Sequence, residues 1–212
     1  MLSLSRIKKH YNNKLVLDIP HLEINNGIYW IKGTNGSGKT TLLKIIAGLL
    51  PFEGEILLNN ISLKSSPVNY RQYTSWAEAE PSYPDFLTGM DLLSLYQSIR
   101  QASKNDINVL IETFGLADYV NSKIKTYSTG MIKKLSLALA FLGTPKLIIL
   151  DEALITLDPD GISSLCQLIL EKCKNGETLF ILSSHQGLDS RLLPYAKLLT
   201  VANQTVSYDA TS

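Results

Sequence analysis

The sequence predicts an α/β fold: a parallel-sheet core surrounds a glycine-rich loop, with an N-terminal antiparallel β layer and an inserted α-helical segment. Three observations lead there. An apolar run, GIYWIKG, is followed at residues 33–41 by GTNGSGKTT and then by the helical stretch LLKIIAGLL. Two more short runs, KLIILD and TLFILSSH, have unbroken apolar centres, LIIL and LFIL, as strands buried on both faces of a parallel sheet do. Between the loop and these runs, residues 86–143 switch to helical spacing.

The elements follow in order. LSLSRI, LVLDI, GIYWIKG and GEILLN read as strands, separated by the turn signals YNNK, EINNG and LNN. Thr88 with Asp91 forms a capping box, and Leu92, Leu95, Tyr96 and Ile99 continue at helical spacing. A second helix spans about 104–114 and ends at Gly115; a third, GMIKKLSLALAFLG, is apolar on most sides and so is expected to be buried. Beyond KLIILD, a helix from Pro159 to Lys174, the strand TLFILSSH, a helix near 187–193 and the strands AKLLTV and QTVSY complete the chain. With 212 residues, 45% hydrophobic and 18% charged, the chain suits a single domain over 1–212. Its core and β layer would comprise 1–85 and 144–212, and its helical subdomain 86–143. No internal repeat or low-complexity segment interrupts it.

Twenty basic and 19 acidic residues give a net charge of +1 without charged blocks, so there is no electrostatic footprint for nucleic acid or anionic lipid. Cys166 and Cys173 lie two turns apart on one helical face, about 10 Å by helix rise. That is too far for a disulfide, and they read as core thiols of a reducing compartment. No signal peptide is visible, and no apolar run approaches the ~20 residues of a membrane span. A chain soluble on its own is expected, with any membrane contact made through protein.

Gly33, Gly36, Gly38, Lys39 and Thr40 fit G-x-x-x-x-G-K-[ST] between a strand and a helix. Glycines let backbone N–H groups turn toward phosphate oxygens, and the helix beginning near Lys39 presents its positive dipole end. Lys39 reaches the β and γ phosphates, and the Thr40 hydroxyl can ligate Mg²⁺. The expected cradle is Gly33, Thr34, Asn35, Gly36, Ser37, Gly38, Lys39, Thr40 and Thr41. KLIILDE ends a buried strand with Asp151 and Glu152, at the sheet edge where ligands bind in such folds. Asp151 is expected to hold Mg²⁺ and Glu152 to polarise an attacking water.

Taken together, these motifs resemble the ATP-binding cassette (ABC) ATPases, the nucleotide-binding subunits of ABC transporters. GTNGSGKTT is similar to the Walker A loop, YSTGM stands where that family carries its LSGGQ-type signature, and LIILDE is similar to Walker B. ITLD resembles the D-loop, SSH supplies a switch histidine, His185, and HYNNK places Tyr11 where the family stacks adenine. The resemblance runs from Tyr11 to His185. It implies ATP and Mg²⁺ as cofactors and base stacking on Tyr11, worth roughly 1–3 kcal/mol by analogy with other base stacking. It further implies a hydrogen bond from His185 to the γ phosphate, and Ser128 and Gly130 reaching the γ phosphate held by a second subunit. Asp158, a helix N-cap before Pro159, would also communicate across that dimer.

The implied protein is an ATP-hydrolysing subunit that dimerises head-to-tail around two ATP molecules, as a homodimer or heterodimer. It would drive a separately encoded permease, as an exporter, from the inner face of the cell membrane. A soluble mechanical ATPase of DNA repair or translation shares the clamp, but its usual coiled-coil arms or paired cassettes are missing from this sequence. The family's glutamine between core and helical part falls on Glu78, a third candidate for Mg²⁺; Gln72 fits the count poorly and Glu80 lies two residues on. Thr129 and Met131 replace signature residues and Ala153 a proline. The segment from about Glu78 to Leu93 is the expected permease groove, with Trp76, Tyr83 and Phe86 as its apolar socket.

Overall fold

The computed structural model describes residues 1–155, 157–174, 176–184 and 191–209. Its larger sheet holds β3 (Gly27–Lys32), β6 (Thr74–Ala77), β7 (Leu147–Leu150), β8 (Leu179–Ser183), β9 (Lys197–Ala202) and β10 (Thr205–Tyr208) in the order β10-β9-β3-β8-β7-β6. All neighbours but the β9–β10 hairpin are parallel. The register aligns Gly27 with Leu179, Leu179 with Leu147, and Leu147 with Thr74. Four strands therefore end together at one edge.

The apolar runs at the centre of this sheet serve two cores at once, because successive side chains point to opposite faces. Tyr29 and Ile31, Leu147 and Ile149, and Leu179 and Ile181 face one cluster. Their neighbours Ile28 and Trp30, Ile148 and Leu150, and Phe180 and Leu182 face the other. Helix α1 (Lys39–Ile46) lies in the first cluster, covered by an antiparallel sheet of β1 (Leu2–Tyr11), β2 (Lys14–Ile24), β4 (Glu53–Leu58) and β5 (Ile61–Ser62) in the order β2-β1-β4-β5. Asn12 turns β1 into β2, and Asn59 and Asn60 turn β4 into β5, all with φ between 48° and 66°. Asparagine tolerates that left-handed region better than most residues, which is why those turn signals were readable.

The second cluster receives α3 (Gly89–Arg100), α4 (Lys104–Thr113), α5 (Thr129–Phe141) and α6 (Pro159–Lys174). Both expected helix starts are built as capping boxes, Thr88 with Asp91 and, for α4, Ser103 with Asp106. Phe141 stacks between Phe114 and Phe180, with ring centroids 6.2 and 5.9 Å away. Cys166 and Cys173 both lie on α6 as free thiols, and burial pushes the Cys166 thiol up to about 11.

Three elements are absent from the sequence reading: β5, α2 (Pro67–Gln72) and β6. All are short, and β6 opens with two polar residues, Thr74 and Ser75, that tertiary packing buries. Of the helix expected over 187–193, residues 187–190 lie outside the described residues, and 191–193 are turn and bend rather than helix. Pro194 follows directly, and a proline disfavours the helical region for the residue before it.

Replacing Phe141 by Ala should lower stability by about 3–5 kcal/mol, because the ring sits between two others at the junction of α5 and the sheet. Urea unfolding of the purified chain measures this; a loss under about 1 kcal/mol would contradict the packing described.

Candidate functional site

β3 delivers the chain to the sheet edge, and the glycine-rich loop turns there into α1. Gly33 passes so close to β9 that a Cβ would lie 2.6 Å from both the Val201 carbonyl oxygen and the Ser37 Oγ. Gly38 caps α1 at φ 104°, a conformation that strains any other residue. No side chain caps this helix, so its first N–H groups are available to an anion. Lys39 is 5% exposed, and its Nζ donates to the carbonyls of Gly33 at 2.7 Å and Thr34 at 3.1 Å. Two of the three ammonium protons thus hold the loop closed.

Two cavities open beside the loop. One of about 460 Å³ is lined by Asn35, Gly36, Lys39, Thr40 and Thr41 together with Tyr11. The other, about 1120 Å³, continues past Thr34 and Ser37 to the β1–β2 turn. Tyr11 lines both, 46% exposed, with the Lys9 ammonium 5.0 Å from its ring centroid. The structure thereby brings Tyr11 and the loop, 22 residues apart at the nearest, to the walls of the same two cavities.

Asp151 follows β7 at the same sheet edge and is 1% exposed. Its Oδ1 accepts from Ser183 Oγ, while Oδ2 is buried and has no hydrogen-bond partner. A buried carboxylate oxygen without a partner is costly, and a cation is the partner that its chemistry asks for. With the Thr40 hydroxyl on the first turn of α1, these residues fit Mg²⁺, a hard ion that takes oxygen ligands and keeps several waters. Glu152 has φ 51°, strained for a non-glycine residue, and its N–H donates to Ser183 O and Oγ, both at 3.1 Å. Ser183 thus orients both acidic residues, a role that the sequence reading missed although SSH had been singled out.

Glu78 follows β6 and so falls at this edge too, whereas Gln72 ends α2 at the opposite end of the strand. Glu80 is exposed, two residues farther along. The backbone around Glu78 is held by Lys133, from the buried face of α5. Its Nζ donates to Glu78 O at 2.7 Å, Ala79 O at 3.2 Å and Asp151 O at 3.1 Å. Burial pulls the Lys133 ammonium down to about 8 against the opposing pull of Asp151, Glu152 and Glu78. The sequence signal for it was a charge on a helix otherwise apolar on most sides.

Ser128 is the N-cap of α5, its Oγ accepting from Met131 N at 3.2 Å, and Thr129 is the first helical residue. Asp158 caps α6 through the Gly161 N–H at 3.2 Å and pairs with Lys134 at 3.1 Å, which holds its carboxyl below the usual range. The two cavities beside the loop are lined by the loop, Tyr11 and the neighbouring turns, and the acidic residues Glu78, Asp151 and Glu152 as well as Ser128, Gly130 and Asp158 lie outside those linings. His185 lies outside the described residues.

The expected apolar socket needs correction. Trp76 is half-buried within β6 and packs on the core, because β6 is a strand of the parallel sheet. Tyr83 is half-buried as well, its hydroxyl bonded to Ser136 and pushed up to about 12 by burial. Of the three only Phe86 is exposed, at 72%. A separate open groove of about 530 Å³ lies between α2 and α3, lined by Val68, Arg71, Gln72, Tyr96, Ile99 and Arg100.

A strand, a glycine loop and an uncapped helix at the carboxyl edge of a parallel sheet, with an acidic pair two strands away, define a P-loop α/β protein. The family model for ABC transporters matches residues 17–155, and the chain belongs to that family. Among relatives, it is 35% identical over 185 residues to the cytochrome c biogenesis ATP-binding export protein CcmA of Reclinomonas americana, covering 84% of this chain and 82% of that one. It is 32% identical over 187 residues to the lantibiotic transport ATP-binding protein SrtF of Streptococcus pyogenes, covering 87% and 80%. A solved ATP-binding subunit of an ABC transporter superposes with a TM-score of 0.87 at 27% identity, covering 97% of this chain and 88% of the other.

Gly33→Ala should cost about 1–3 kcal/mol, the range for overpacking a close contact, since backbone of β9 blocks the added methyl. Denaturant unfolding tests it, and an unchanged midpoint would show that the loop has room to shift.

Proposed function

We propose that this chain is the ATP-binding and ATP-hydrolysing subunit of an ABC transporter, working as a head-to-tail dimer that drives a separately encoded permease. The observation that carries the reading is the unpartnered Oδ2 of Asp151 at the sheet edge where the glycine loop turns into α1. In this reading residues 1–212 are one domain, with 86–143 its helical subdomain. Tyr11 stacks on adenine; the loop N–H groups of residues 33–41 and Lys39 hold the triphosphate. Thr40, Asp151 and Glu78 hold Mg²⁺ directly or through water. A Mg²⁺ ion held by these residues would offset the charge of the phosphate oxygens.

Glu152 is the general base, its backbone fixed by Ser183 so that the side chain is aimed rather than free to wander. His185 completes the set by a hydrogen bond to the γ phosphate. Ser128 and Gly130 reach the γ phosphate bound by the partner subunit, and Asp158 acts across the same interface. Because the γ phosphate then bridges both halves, ATP binds the closed dimer better than the open one, which is the differential affinity a clamp needs.

No helix among the described residues is long and apolar enough to cross a membrane; in this reading the permease is a separate chain. The α2–α3 groove suits a short helix of that permease, since Val68 and Ile99 stand 73% and 57% exposed on its rim. The names of the two relatives, one an export protein and the other a lantibiotic transport protein, favour export.

Glu152→Gln should slow ATP turnover at least ~100-fold, as removal of a general base does, while ATP-dependent dimerisation persists. Phosphate release and size-exclusion chromatography with ATP measure the two, and turnover at the native rate would remove Glu152 from its role. Ser128→Arg should leave ATP binding by the monomer intact and abolish the closed dimer. A titration in which the monomer loses affinity for ATP would contradict completion in trans.

A further inference from the structure

We infer that Lys133 is a positioning residue for the metal-binding and hydrolytic carboxylates, and that it fixes them to the helix carrying Ser128 and Gly130. The inference rests on the proposed function. β6 and β7 run in parallel register up to Ala77 and Leu150, and the Asp151 N–H still bonds to Ala77 O at 2.8 Å. The next carbonyls, of Glu78, Ala79 and Asp151, have no strand to pair with. They converge on one ammonium that arrives from α5, 1% exposed, at 2.7, 3.2 and 3.1 Å.

The fit is stoichiometric: a lysine has three donors and no acceptor, and all three are used on three carbonyls. An apolar residue at this position would leave those carbonyls unsatisfied in the interior. One turn on along the same face, Ser136 and Leu137 are buried at 2% and 0% exposure, so Lys133 stands on the interior side of α5, unlike its half-buried neighbour Lys134.

The tie has two consequences for the site. It sets the spacing between Glu78 and Asp151, which lie on adjacent strands, and it places a positive charge among Glu78, Asp151 and Glu152, offsetting their mutual repulsion. It also makes the start of α5 follow the sheet edge: Lys133 lies three residues from Gly130, less than one helical turn. Displacement of the β6 or β7 end is thereby passed to the signature residues through a hydrogen-bonded contact rather than through loose packing.

Lys133→Met keeps the length of the side chain and removes the donors. The full chain is compared with wild type in four measurements: thermal unfolding, affinity for ATP without metal, ATP turnover against Mg²⁺ concentration, and Mn²⁺ binding in the presence of ADP by electron paramagnetic resonance. We expect a folded protein with metal-free ATP affinity within ~3-fold, kcat lower by at least ~10-fold, and Mn²⁺ affinity weakened by ~10-fold, the scale of loss seen when residues supporting metal ligands are removed. Lys133→Gln, with two N–H donors, should recover part of kcat and of the Mn²⁺ affinity; it decides the matter if the Met variant fails to fold. A folded variant with native kcat and Mn²⁺ affinity overturns the inference. So does a loss of metal-free ATP affinity as large as the loss of turnover, which would mark a general structural role. If wild type itself shows no Mg²⁺-dependent turnover, the functional reading falls and this inference with it, an outcome distinct from wild-type turnover that Lys133→Met leaves unchanged.

Discussion

The constraint on which the site depends is the common register of the parallel strands β3, β8, β7 and β6. Because Gly27, Leu179, Leu147 and Thr74 start level, the glycine loop, Ser183, Asp151 and Glu78 all emerge at one edge, although they are distributed over 150 residues of chain. Slippage of one residue in such a sheet would exchange the two buried faces of a strand, and each of these strands has a core on both sides. Packing of Tyr29 and Phe180 on opposite faces therefore holds the polar residues at the edge in place as firmly as any contact among those residues.

At that edge the molecule brings together conditions that are scattered singly elsewhere among the described residues, such as the unpartnered Tyr119 hydroxyl or the left-handed φ of Gln101. Lys133 is buried with its ammonium spread over three carbonyls, the Asp151 Oδ2 lacks a partner, and Glu152 sits at a left-handed φ. Buried charge, an orphaned acceptor and a strained residue each carry a cost of roughly a few kcal/mol. Their concentration in a few residues, against the well-satisfied capping boxes of α3 and α4, marks this edge as the place where local stability gives way to chemistry. Arg100 offers a parallel to Lys133 at the other end of β6, where its guanidinium bonds to the carbonyls of Gln72 and Thr74. Basic side chains from the helical part thus grip both ends of the edge strand.

The phosphate loop was legible because glycine spacing is dictated by local backbone geometry: Gly33 by a near contact and Gly38 by its φ. The capped helix starts and the asparagine turns were legible for the same reason. The α2–β6 segment was not, since a six-residue helix and a four-residue strand beginning Thr-Ser carry too little periodicity to register. That omission bears on two of the three residues expected in the apolar socket. Without β6, Trp76 and Tyr83 read as surface aromatics, whereas the sheet and α5 cover them.

By itself, then, the sequence determined the alternation of strands and helices, the loop and its flanks, the acidic pair at the end of a buried strand, and through its ordered motifs the family. Each of those depends on spacing within a few residues, where chain geometry leaves little choice. Only the tertiary structure decided that Ser183 orients both acidic residues, that Lys133 joins α5 to the edge where Glu78 and Asp151 emerge, and that an open groove lies between α2 and α3. These depend on contacts between residues far apart in the chain, such as Lys133 with Asp151, 18 positions away, and with Glu78, 55 positions away. Such contacts are set by sheet register and helix docking, which no local pattern encodes.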